Sequence, residues 1–154
     1  MYKLTCLNND IMTNEQNLNE WHRLRENLLL TNGWLKNEIK IFLDQFEITQ
    51  QQYNILRILK DAEGEPLSTN DICELMIDKM SDSSRIVDRI ISKGLARKNK
   101  CPHDGRKIQV FITPEGEYLL STISTKLKNL DAVFNNLSSE EAAHLNTLLE
   151  KLRS

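Results

Sequence analysis

Apolar positions recur at helical spacing over most of this chain and at strand spacing once. Across residues 15–46 the series Leu18, Trp21, Leu28, Trp34, Leu35, Ile39, Phe42, Leu43 and Phe46 advances mostly by three and four. That predicts one long helix from about Glu15 to Gln45, or two segments joined near Gly33. Thr49 and Gln52 form a capping box opening a second helix with Tyr53, Leu56 and Leu59 on its face, ended by "EGEPL". Ser68, with Asp71 three residues on, caps a short helix whose buried stripe is Ile72, Leu75 and Met76. "IDKMSD" then reads as a tight turn into a helix over Ser81 to Lys93. There Ile86, Val87, Ile90 and Ile91 turn inward, and Gly94 takes the left-handed C-cap.

The pattern then changes period. Leu95 to Lys98 and Lys107 to Ile112 form a hairpin, with Ile108, Val110 and Ile112 alternating with Lys107, Gln109 and Phe111. Thr113 is an N-cap and Pro114 the first residue of a long helix carrying Leu119 or Leu120, Ile123, Leu127, Leu130, Phe134 and Leu137 on one stripe. Ser138 and Glu141 box the start of a last helix, with Leu145, Leu148, Leu149 and Leu152 buried. The expected fold is mainly α, with five or six helices and a small sheet of two or three strands.

Composition narrows the function classes. With 154 residues, 40% of them hydrophobic, the chain suits one domain with helical extensions. Cys6, Cys73 and Cys101 are too few and too scattered for a disulfide framework, which points to a reducing compartment. The start "MYKLTCLNND" lacks a signal-peptide pattern, and no apolar run approaches the roughly 20 residues of a membrane span, so a soluble cytoplasmic protein is expected. There is no Gly-rich phosphate loop, framed carboxylate pair or nucleophile motif, so no enzymatic activity and no cofactor is expected. A metal site at Cys101, His103 and Asp104 would need a fourth ligand at an atypical spacing, and no metal is expected there.

Charge placement is more informative than the formal net charge of -2. Lys93, Arg97, Lys98, Lys100, Arg106 and Lys107 crowd the hairpin against Asp104 alone. Just before it, Ser81, Asp82, Ser83, Ser84 and Arg85 fill the first turns of a helix, with Arg89 one turn beyond Arg85. Small hydroxyl residues allow close approach, a helix N-terminus favours phosphate, and arginines reach phosphates or guanine edges. A solvated surface helix and a solvated hairpin are the plain alternatives. Two helices, a tight turn and a basic hairpin nevertheless follow the order of a helix-turn-helix with a wing, whose second helix enters the major groove.

Over residues 48–120 the segment "ITQQQYNILRIL…LSTNDICELM…SRIVDRIISKGLARKNKCPHDGRKIQVFITPEGEYLL" resembles the winged helix-turn-helix core of the MarR family of bacterial transcription regulators. The matching positions are Thr49 and Gln52, Ser84 to Arg89, Lys93 to Leu95, Asp104 with Arg106, and Ile112 to Gly116. The resemblance implies N-terminal dimerisation residues 14–47, a DNA-binding lobe at 48–113 and C-terminal dimerisation helices at 114–154. It also implies a homodimer reading a palindromic operator in double-stranded DNA, as a repressor. By the same resemblance Arg106 enters the minor groove and Asp104 holds the wing tip, while Arg97, Lys98, Lys100 and Lys107 are candidate phosphate contacts. Two departures stand out: Gly105 replaces a basic residue common at the tip, and Asp82 is acidic where DNA approaches.

Regulation is open at this level. Family members bind small aromatic ligands in a cleft, which Trp34, Phe42 and Tyr53 could line here, or these residues are core. Cys101 stands beside Lys100, His103 and Arg106, which favour a thiolate, so it is either an oxidisable switch or filler. A winged helix used for protein contact without DNA is the alternative function. It would need an apolar patch that Ser81, Ser83, Ser84, Arg85 and Arg89 do not provide.

Overall fold

The computed structural model describes residues 19–76, 83–100 and 108–154, with the backbone alone at Ser83. Among them run six α-helices and one hairpin: α1 Glu20–Asp44, α2 Gln50–Asp61, α3 Thr69–Leu75, α4 Ser83–Ser92, β1 Ala96–Lys100, β2 Ile108–Ile112, α5 Pro114–Asp131 and α6 Ser139–Leu152. A short 3₁₀ turn, Ala132–Phe134, follows α5. The chain divides into two compact units at Asn37 and Glu38. α1 runs unbroken through Gly33, so the single long helix is the correct alternative.

Helix starts follow local chemistry. Thr49, Ser68 and Ser138 each cap a helix through the side-chain oxygen, and Gln52, Asp71 and Glu141 reciprocate to the cap N–H. Thr113 accepts from the Gly116 N–H with Pro114 at the first helical position. Each such cap contributes about 1 kcal/mol. Gly94 adopts φ 73°, its N–H donating to the Ile91 carbonyl while the Leu95 N–H reaches back to Ile90 at 3.0 Å, which closes α4.

The core of the second unit forms where α2, α3, α4, α5 and the hairpin meet: Ile55, Leu56, Leu59, Ile72, Met76, Ile86, Val87, Ile90, Ala96, Val110 and Leu120 are buried together. Each large aliphatic side chain there contributes about 2 kcal/mol by leaving water. A second cluster joins Phe42, Leu43, Ile48 and Ile123, with Phe46 edge-on to Phe42 at 5.5 Å. β1 and β2 pair antiparallel with Lys98 opposite Val110 and Arg97 opposite Phe111. Of the two or three strands expected, two form the sheet, and Leu67 adds a single antiparallel bridge to Val110.

Two expectations of burial and one of helix extent are corrected. Leu75 is exposed, because α3 stops there and the extended backbone at Met76 turns that side chain inward instead. On α6, Leu145, Leu148 and Leu152 are exposed and no residue is buried. Phe134 and Leu137 are likewise exposed, since α5 ends at Asp131 and the 3₁₀ turn breaks its stripe. Periodicity identifies an apolar face without saying whether the same chain covers it.

Gly116 sits where α5 begins against the end of α4. A Cβ there would lie 2.2 Å from the Leu95 carbonyl oxygen and 2.8 Å from Ile112 Cγ1. Gly116→Ala is therefore expected to lower stability by about 3 kcal/mol or more, read as a shift of the urea unfolding midpoint. At Gly33, within α1, a Cβ would meet nothing within 4 Å. Gly33→Ala should raise stability by about 0.5–1 kcal/mol in the same assay.

Candidate nucleic-acid interface

α4 is held by its apolar side and presents the other. Ile86, Val87 and Ile90 are buried, which turns Ser84, Arg85, Asp88 and Arg89 to the surface. Arg85 and Arg89, one turn apart, lie on the same side of the helix. The carboxyl end of α4 is anchored three times. The Lys93 ammonium donates to the Glu47 carbonyl, at a turn where Glu47 has φ 56°. The Thr113 hydroxyl donates to the Gly94 carbonyl at 2.7 Å, and the Thr113 N–H donates to the Leu95 carbonyl at 3.2 Å. These bonds tie α4 to the α1–α2 turn and to the start of α5.

The hairpin places its cations on two faces. Lys98 and Lys100 alternate with Arg97 along β1. Lys98 Nζ donates to Asp88 Oδ1 at 3.0 Å, joining hairpin to helix. This pair is about half exposed and contributes ~0–1 kcal/mol to stability. Arg97 points to the opposite face, its guanidinium 4.5 Å from the centre of the Phe111 ring. It lines an open cleft with Lys60, Glu63, Glu65 and Glu117. One of the expected phosphate contacts thus shares a cleft with acidic side chains.

Of the sequence-derived candidates, Ser84, Arg85, Arg89, Arg97, Lys98 and Lys100 are all exposed, and α4 and β1 bring them onto adjoining elements. Ser81, Asp104, Arg106, Lys107 and Cys101 lie outside the described residues, as does the side chain of Ser83. Among the candidate cleft residues, Phe42 is buried in the second cluster, and with Tyr53 it lines a cavity of about 190 Å³ that also includes Ile39, Arg57, Leu127 and Leu130. Trp34 belongs to the other unit. Arg57 was not singled out by sequence reasoning. It lies near the Tyr53 ring, 5.9 Å from its centre, and lines a second open cleft with Ser121, Ser124 and Thr125. A basic residue one turn after an aromatic one, on the α2 face away from Ile55, Leu56 and Leu59, was the available signal. No group of three or more His, Cys, Asp or Glu side chains that could hold a metal occurs among the described residues. No helix among them is long and apolar enough to cross a membrane.

Arg89 illustrates how far presentation is separated from folding. Its side chain is exposed and Ile90 beside it carries the packing. Arg89→Ala is expected to change unfolding free energy by no more than about 0.5 kcal/mol, checked by chemical denaturation.

No protein-family model matches the chain. It is 29% identical over 119 residues to the HTH-type transcriptional regulator FarR of Neisseria gonorrhoeae, covering 77% of this chain and 80% of that protein. Its fold matches a mutant MarR from E. coli complexed with operator DNA, with TM-score 0.75, 23% identity, and coverage of 87% of this chain and 96% of the other. It also matches an organohalide-sensing transcriptional regulator in its 2,4-dichlorophenol-bound form, with TM-score 0.79, 18% identity, and coverage of 99% and 88%. Helix order, hairpin and caps agree with the resemblance read from the residues, and the chain has the winged helix-turn-helix fold of the MarR-family transcription regulators.

Proposed function

We propose that this chain is a sequence-specific transcriptional regulator of double-stranded DNA, acting as a symmetric homodimer on a palindromic operator and repressing by occupying it. The observation that carries the reading is the α4 surface: a helix fixed by Ile86, Val87 and Ile90 that turns Ser84, Arg85 and Arg89 outward with no apolar patch among them. Such a surface suits phosphates and base edges and offers little to a protein partner. In this reading residues 48–113 contact DNA, with Ser81, Ser83, Ser84, Arg85 and Arg89 in the major groove. The wing adds Lys100, Asp104, Arg106 and Lys107, with Arg97 and Lys98 beside them.

Residues 14–47 and 114–154 join two copies. Support comes from the apolar side chains that the chain leaves exposed: Trp21, Leu29, Leu30 and Trp34 on α1, and Leu145, Leu148 and Leu152 on α6. A second copy covers such faces and spaces two α4 helices one turn of DNA apart, about 34 Å. A small aromatic ligand entering near Phe42 and Tyr53 would modulate binding, with Trp34 as a further candidate; the dichlorophenol-bound regulator of the same fold supports that class. Cys101 is kept as a candidate thiol switch.

Selection of bound fragments from the host genome should yield a palindromic site, and affinity for it should fall steeply with added salt. Arg85→Ala and Arg89→Ala should each weaken binding by roughly tenfold or more. Absence of duplex binding at low salt, or unchanged binding in both variants, removes the reading. Leu148→Glu should move the protein from dimer to monomer in sedimentation and weaken operator binding with it; an unchanged dimer removes α6 from the interface.

A further inference from the structure

Among the charged side chains that α4 turns outward, Asp88 stands out, because an anion on a surface meant for phosphates opposes binding. The hairpin meets that anion directly. Lys98 is opposite Val110, which is 1% exposed, so its stem leaves β1 on the side facing the lobe and its ammonium reaches Asp88 at 3.0 Å. Lys100, two residues along on the same side of the strand, has no ion-pair partner among the described residues. Arg97 is on the other side, over Phe111. Lys98 is thus the one basic residue of β1 whose charge is cancelled by α4.

At the exposure of this pair its contribution to stability is small, so holding the fold together does not account for it. Its larger effect is on the field outside. Two opposite charges 3.0 Å apart present a phosphate with a dipole in place of a cation. A phosphate that recruited Lys98 would have to leave the Asp88 carboxylate facing DNA without its counter-charge. We propose that Asp88 withholds Lys98 from the DNA backbone and so lowers affinity for duplex of any sequence, while Arg85 and Arg89 remain in place to read the operator. The inference rests on the DNA-binding reading above. Phosphate contacts supply essentially all of non-specific binding and act nearly uniformly across sequences, so withholding one loosens the hold on all duplex and leaves the base-reading contacts to set the preference.

The test measures binding of a mixed-sequence duplex by fluorescence anisotropy over a salt series, for the full chain and its variants. Asp88→Asn, close to isosteric and on the surface, should release Lys98. The log–log salt slope should then steepen by about 0.9, one phosphate's worth, an additional loss of roughly threefold between about 50 and about 200 mM salt. Lys98→Gln added to Asp88→Asn should remove that steepening. A steepening that survives in the double variant would assign it to the lost carboxylate itself and overturn the proposal. So would an unchanged slope in Asp88→Asn, or Lys98→Gln alone flattening the slope by the same amount, which would make Lys98 a phosphate ligand already. Loss of all duplex binding in the unmodified chain at low salt is a separate result, which removes the DNA reading and this inference with it.

Discussion

The junction at Lys93, Gly94 and Leu95 depends on the absence of a side chain at Gly116. Only a glycine lets the first turn of α5 approach the Leu95 carbonyl so closely, and that approach puts Thr113 where it can bond the carbonyls of Gly94 and Leu95. Lys93 fastens the same three residues to the α1–α2 turn. The end of α4 therefore has its position set from two directions, by elements that continue into the terminal helices. Under the proposed function this makes the angle of α4 a property of the joint and not of α4 alone. A ligand or a dimer contact that shifts α1 or α5 acts on α4 through hydrogen bonds of known partners.

The electrostatics of the lobe are more selective than its basic sequence suggests. Six cations crowd residues 93–107, yet the three that can be followed on β1 have three different surroundings. Arg97 is stacked on an aromatic ring beside Glu63, Glu65 and Glu117; Lys98 faces Asp88; Lys100 stands at the strand end. Counting positive charges along a sequence gives an upper limit to the phosphates a surface can neutralise. The partners within the fold then lower it.

Much of the fold was legible because its signals are local. Capping boxes at Thr49, Ser68 and Ser138, the proline after Thr113 and the left-handed Gly94 all depend on neighbours within a few residues. The α4 surface was legible for the same reason, since one buried stripe fixes the opposite face. What could not be read depends on distant parts of the chain. Leu75 and the α6 leucines have the same periodicity as buried residues, and nothing nearby says what covers them. Asp88 meets Lys98 only because β1 pairs with β2 in one register, and Gly116 resembles any glycine near a helix start until Leu95 is brought against it. The resemblance places Asp104 and Arg106 at the wing tip, and these, with Lys107 at the start of the returning strand, lie outside the described residues.

α6 carries a further implication. Fourteen residues with a good cap but no buried side chain are at the margin of what an isolated helix can sustain in water. In the proposed dimer its order comes from the second copy, so folding and assembly share one equilibrium and apparent stability rises with protein concentration. Below the dissociation constant the amount of assembled regulator then grows as the square of the amount synthesised. A cell making twice as much chain would hold about four times as much operator-competent protein, a threshold supplied by an uncovered row of leucines.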